Sequence, residues 1–201
     1  SGRFISSAMV RRLLDRYIVN QANKLADLTP GLADGSLDVP SWELAAREQV
    51  KASHGAAYAL GRGGVHVMSQ ADWDRVDGLV LDQMRYLTRF ARDLADGKLS
   101  ERQAAARAQL YAHSSRQAFE RGKAAAYDVT LPVYPADGGT ACRARCHCHW
   151  EYSIETVRAL HRTRRTIASW KLGTAEHCPD CIARSIRYRA WIVGQESVEA
   201  A

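Results

Sequence analysis

All five cysteines of this 201-residue chain lie in its last third, at Cys142, Cys146, Cys148, Cys178 and Cys181. An odd number cannot close into a complete disulfide framework. The opening residues, Ser1-Gly2-Arg3-Phe4, also carry no hydrophobic segment bounded by a cleavage site that would direct secretion. Clustered thiols in such a chain point to a metal ion before they point to disulfides. A structural zinc takes four Cys or His ligands in a tetrahedron, with sulfur at about 2.3 Å. Cys178-Pro179-Asp180-Cys181 is a tight pair whose sulfurs can turn to one centre. The second pair must come from Cys142-Arg143-Ala144-Arg145-Cys146-His147-Cys148. Cys142 with Cys146 is the preferred choice, and Cys148 competes, because a period of two puts Cys146 and Cys148 on one face of a strand. Five candidates thus stand for four places. His147, His149 and His177 flank them and are read as surface or supporting histidines rather than ligands.

Before this cluster the sequence reads as helices. Phe4, Met9, Val10, Leu13, Leu14, Tyr17, Ile18, Ala22 and Leu25 recur at helical spacing, and Leu28-Thr29-Pro30-Gly31 stops that run. A second helix starts after the cap Asp38, presents Trp42, Ala46, Val50, Ala57 and Leu60, and ends at Gly61-Arg62-Gly63-Gly64. A third, capped by Ser69 with Asp72 three positions on, carries Trp73, Val76, Val80, Met84, Leu87, Ala91 and Leu94. A fourth opens with the capping box Ser100-Glu101-Arg102-Gln103 and turns Ala104, Ala108, Tyr111, Ser115 and Phe119 inward. Asp34-Gly35-Ser36-Leu37-Asp38 and Asp96-Gly97-Lys98-Leu99-Ser100 repeat one corner, with Gly in a left-handed turn, Leu beneath it and a cap for the next helix. The expectation is two helical hairpins over residues 1–127, joined by the Gly-rich stretch near 61–68.

After Tyr127 the pattern changes to alternating Val129, Leu131 and Val133, then prolines and the turn Asp137-Gly138-Gly139. His147–Tyr152 and Ile167–Leu172 are expected to pair as short antiparallel strands, with a helix or long loop over Ile154–Arg165 between them and a frayed tail from Gln195. The fold class is mainly α: a helical bundle followed, over residues 128–201, by a small α+β zinc-binding module. Few aliphatics are available there, and a structural zinc contributes about 10–16 kcal/mol of apparent binding free energy coupled to folding. Trp150, Trp170 and Trp191 are expected to pack around the site.

The remaining signals narrow the chemistry. Neither His-x-Glu ahead of Pro-Cys-x-x-Cys nor His-Glu-x-x-His occurs, so the zinc reads as structural and the chain as no enzyme. No apolar run approaches the roughly 20 residues of a membrane span. The formal charge of +6 suits an anionic neighbour. Between Arg143 and Arg189 there are ten Arg/Lys against four Asp/Glu, either a solvated face or a contact for phosphates.

Taken together, the corners, Leu131-Pro132-Val133-Tyr134-Pro135, Gly139-Thr140-Ala141-Cys142, Cys146-His147-Cys148-His149-Trp150, Trp170-Lys171-Leu172 and His177-Cys178-Pro179-Asp180-Cys181 resemble the minor head (head morphogenesis) proteins of tailed bacteriophages. The resemblance spans most of the chain and is most specific over residues 131–191. In that family a Cys-x-x-Cys element commonly precedes a Cys-x-Cys element, and here the order is reversed. Cys178 and Cys181 correspond to the first element, and Cys142, Cys146 and Cys148 to the second. The resemblance implies a non-catalytic virion protein, several copies per particle, found in the head and in host cytoplasm during assembly. It would associate with portal and inner capsid, act in head assembly and DNA packaging or delivery, and touch packaged DNA without reading its sequence. Two other classes stand beside it: a zinc-dependent nucleic-acid-binding module, and a zinc-dependent hydrolase or nuclease using His147, His149 or Asp180.

Overall fold

The computed structural model describes residues 6–158, 162–174 and 176–198. Most of them are helical, with a small three-stranded sheet near the C-terminal end. The chain forms two compact units, Ser1–Lys123 and Ala124–Ala201. No helix among the described residues is long and apolar enough to cross a membrane.

The first unit holds α1 (Ser7–Asp27), α2 (Thr29–Ala33), α3 (Val39–Arg62), α4 (Gln70–Ala95), α5 (Glu101–His113) and most of α6 (Ser115–Ala126). Its helix starts follow the sequence signals. The Asp38 carboxylate accepts the Ser41 N–H at 2.8 Å, and Ser69 and Ser100 each complete a reciprocal capping box, with Asp72 and Gln103. Gly35 and Gly97 take left-handed φ of 77° and 67° at the repeated corners, which a side chain would strain. The pairing of helices is not that of two sequential hairpins. α3 lies along α4 across the Gly-rich stretch, whereas α1 lies along α5.

The buried faces meet around Trp42, Phe90 and Tyr111. The rings of Trp42 and Phe90 are edge-to-face at 5.4 Å, and Phe90 stacks on Tyr111 at 6.0 Å. Leu14, Ile18, Leu25, Val50, Val76, Leu87 and Leu94 complete this core. Several expected members sit at its margin: Met9 and Leu13 are largely exposed, Trp73 and Met84 are half-buried, and Phe4 lies outside the described residues.

Two of the expected helix boundaries differ. Thr29-Pro30-Gly31 does not simply end a helix but opens the short α2. The expected fourth helix is broken in two at Ser114. There the Ser114 and Ser115 hydroxyls donate to the carbonyls of Tyr111 and Ala112 at 2.6 and 2.5 Å, competing with the backbone ladder.

In the second unit β1 (His149–Arg158), β2 (Arg162–Lys171) and β3 (Trp191–Val198) form an antiparallel sheet in that order, and α7 (Pro179–Arg187) packs against β2. The register pairs His149 with Lys171 and Trp150 with Trp170. The expected helix or loop over Ile154–Arg165 is instead strand on both sides of residues 159–161, which lie outside the described set. Thr156, Val157, Thr163 and Thr166 are β-branched and suit a pleated surface better than a helix. The tail is also strand as far as Val198, held by pairing to β2 rather than frayed; residues 199–201 lie outside the described set. The unit's core is aromatic. Trp150 and Trp170 are fully buried and edge-to-face at 5.4 Å, joined by Tyr188. Trp191, expected in this core, is 40% exposed and rests its ring against Tyr188 at 5.4 Å.

Candidate metal centre

Two short elements carry the cysteines. Cys142 enters a single tight turn over Arg143–Arg145, in which the Arg143 N–H donates to Thr140 C=O at 2.8 Å and the Arg145 N–H to Cys142 C=O at 3.0 Å. This folds the chain back so that Cys146 returns beside Cys142. The β1–β2 hairpin then carries the chain away and back. On its return Cys178 takes the N-cap position of α7 without a side-chain capping bond and Cys181 sits in the first turn, with Pro179 at a position where its missing N–H costs nothing. The expected Cys-x-x-Cys loop is therefore a helix start, an end whose dipole favours thiolate.

Two side chains of α7 fix it to the loop ahead of Cys142. The Asp180 carboxylate accepts the Ala141 N–H at 2.8 Å. Arg184 donates to Gly139 C=O at 2.9 Å and lies over the Trp170 ring at 5.3 Å.

The result gathers all five expected residues into one place. Sγ of Cys142 and Sγ of Cys146 each stand 3.6 Å from Sγ of Cys181, and Cys178 Sγ stands 3.6 Å from Cys142 Sγ. Cys142, Cys146 and Cys181 all lie within 4.8 Å of one another. Four sulfurs placed about 2.3 Å from a zinc ion in a tetrahedron are about 3.8 Å apart, so these spacings match its edges. Cys142, Cys146 and Cys181 are the three whose sulfurs are all close enough to one another for one ion, with Cys178 beside Cys142. Cys148 is buried behind them and interacts with Cys146 and Cys181. The five sulfurs share the wall of a cavity of about 10 Å³ with His147, Glu176 and His177.

Backbone N–H groups point at the sulfurs, as a charged thiolate requires. Cys146 accepts from Cys148 and Ala136, Cys148 from Gly173, and Cys178 from Cys181 and Cys142. Burial pushes the Cys178 thiol up, but these donors outweigh it and hold the group at about 7, below the usual thiol. Burial raises Cys181 and Cys142; Cys146 is raised by its bond with Cys148 and then by burial. Several thiols crowded together cannot all ionise alone, and a divalent cation among them removes that obstacle.

Of the residues considered for hydrolysis, Asp180 is engaged with the Ala141 N–H, His147 lies exposed at the cavity wall, and His149 opens β1. Sequence reasoning missed Gly173 and Arg184. A glycine directly after a strand was the available sign for the first; nothing in the sequence marked the second. Comparison of the chain with protein-family models, curated proteins and solved structures finds no match.

Proposed function

We propose that this chain is a non-catalytic structural protein whose C-terminal unit is held together by one zinc ion and whose helical unit supplies the assembly surface. The observation that carries this reading is the place of the sulfurs in the fold. Among the described residues, Cys146, Cys148 and Cys181 belong to the unit's buried cluster, in which Leu131 is the one larger aliphatic member and Val129, Val133 and Val193 are only partly buried against it. So small an apolar core needs a staple, and a zinc ion among these sulfurs would supply one.

On its sequence resemblance, we place it as a minor head protein of a tailed-phage particle, associating with portal and inner capsid during assembly and DNA packaging or delivery. Co-expression with a tailed-phage portal protein tests this assignment. Recovery of a portal complex that survives high salt supports it, and no association in any buffer contradicts it. A zinc-stapled nucleic-acid-binding module is the second reading, favoured by the exposed Arg145, Arg164, Lys171, Arg187 and Arg189 on one unit. It requires DNA affinity that falls steeply with salt.

A further inference from the structure

Residues directly opposite one another in an antiparallel sheet share a face. Tyr152, Ala168 and Trp191 are such a row, one from each strand, and Trp150 with Trp170 is the next row on the same face. α7 and the residue after it cover that second row, since Arg184 lies over the Trp170 ring and Tyr188 packs on Trp150. On the other side of the first row the face continues as Ile154, Thr166 and Gly194, and Ile154 is 48% exposed. Two rings border this uncovered floor. Tyr127 stacks on Tyr152 at 4.3 Å with 11° between the planes and is still 44% exposed, so the outer side of its ring meets solvent. Trp191 is exposed as well, and its backbone stands two strand spacings, about 10 Å, from that of Tyr152. Ala168 between them and Gly194 in the next row keep the floor low.

Cations lie beside the rings. The Arg187 guanidinium is over the Tyr188 ring at 5.4 Å, and Tyr188 in turn touches Trp191. Arg189 follows just ahead of β3, and Arg164 is on the same sheet face, two rows beyond Ala168. All three are exposed and form no ion pair among the described residues, Arg164 included, although Glu196 stands opposite it. Exposed rings on a low floor, with unpaired cations at the margin, match a ligand that carries flat bases on an anionic chain. We propose that this sheet face binds single-stranded nucleic acid, with bases stacked on Tyr127 and Trp191 and phosphates against Arg164, Arg187 and Arg189. The proposal deepens the second, nucleic-acid-binding reading above and rests on it, adding that rings as well as charge hold the strand. A duplex keeps its bases stacked on one another and offers this face its phosphates alone.

The test titrates the full, reduced chain into a labelled oligothymidylate, a labelled duplex of equal length and a labelled proline-rich peptide, each followed by fluorescence anisotropy. The single strand is expected to bind about ten-fold or more tighter than the duplex. Tyr127→Leu should weaken single-strand binding about ten-fold and leave duplex binding unchanged, and Tyr127→Phe, which keeps the ring, should restore it. Arg187→Gln should weaken both and lower the salt dependence. Ultraviolet cross-linking of the oligothymidylate to wild-type protein, read by mass spectrometry, needs no variant: cross-links at Tyr127 or Trp191 support the proposal, and cross-links elsewhere alone overturn it. Equal affinity for strand and duplex, with Tyr127→Leu without effect, overturns stacking while leaving a charge-driven nucleic-acid module standing. Binding of neither nucleic acid overturns that reading too. A proline-rich peptide that binds where the oligonucleotide does not assigns the face to a protein partner and overturns the proposal.

Discussion

A Cβ on Gly173 would stand 2.4 Å from the carbonyl oxygen of His147. The chain leaving β2 therefore lies directly against the loop that carries Cys146 and Cys148, close enough for the Gly173 N–H to reach Cys148 Sγ. Only glycine allows that approach, because the obstacle is backbone and cannot rotate away. Gly173→Ala is expected to destabilise the C-terminal unit by about 2 kcal/mol, in the range for overpacked sites. It should also weaken zinc binding about ten-fold or more. Thermal melting and competition with a chromogenic chelator measure the two effects.

A similar approach occurs in the helical unit, where a Cβ on Gly61 would lie 2.1 Å from Phe119 O and one on Gly122 2.2 Å from Tyr58 O. α3 and α6 meet backbone to backbone at these two glycines. Gly61→Ala and Gly122→Ala should each lower stability by about 2–3 kcal/mol, despite the helix-propensity gain of about 1 kcal/mol. Gly78, within α4, has nothing within 4 Å of its would-be Cβ, so Gly78→Ala should stabilise by about 0.5–1 kcal/mol. Urea unfolding of the three variants should give opposite signs.

His54 is 1% exposed, with Nδ1 at 2.9 Å from Val50 O and Nε2 at 3.2 Å from Ser114 Oγ. Burial, opposed by the bond to Val50 O, lowers its pKa from 6.5 to about 4. The unfolded chain then binds a proton more readily than the folded one. The neutral-histidine contribution is complete above about pH 6.5 and is lost progressively as pH falls toward 4, up to about 3 kcal/mol. Unfolding of the helical unit followed by far-ultraviolet circular dichroism across this range should show the decline, and His54→Gln should flatten it.

Asp72 is buried at the start of α4, where it accepts from Tyr58 OH at 2.7 Å, from Ser69 N–H at 2.9 Å and from Arg75 at 3.0 Å, with Arg62 at 3.5 Å. Burial pushes its carboxyl up, but these donors and the Arg62 charge outweigh it and hold the group at about 2. Its contribution is complete above about pH 4 and is lost as pH falls through 2, below the window in which His54 acts. Asp72→Asn is expected to cost about 3 kcal/mol at neutral pH, because it leaves buried donors and Arg62 without their anion. Equilibrium unfolding at pH 7 measures that loss.

The elements whose signals are local were legible in the sequence. Asp38, Ser69 and Ser100 cap helices where their hydrogen-bonding side chains predict, and the left-handed glycines stand at the repeated corners. The cysteine cluster was legible because metal chemistry fixes both residue type and approximate spacing. What the sequence did not show depends on contacts distant in the chain. The break at Ser114 comes from hydroxyls that either cap or interrupt, depending on their surroundings. The strand course of Ile154–Arg165 is set by pairing with a partner strand, and β3 is a strand only because β2 offers it an edge. The roles of Gly173 and Arg184 depend on a loop 26 or more residues away, brought close by the hairpin.

The most direct test of the zinc-stapled fold is elemental analysis of the freshly purified, reduced chain, paired with far-ultraviolet circular dichroism before and after chelation. One zinc per chain, with the sheet and aromatic core of the C-terminal unit lost on its removal, is the expected result. A metal-free protein with all five thiols titratable and its C-terminal unit intact would contradict the account.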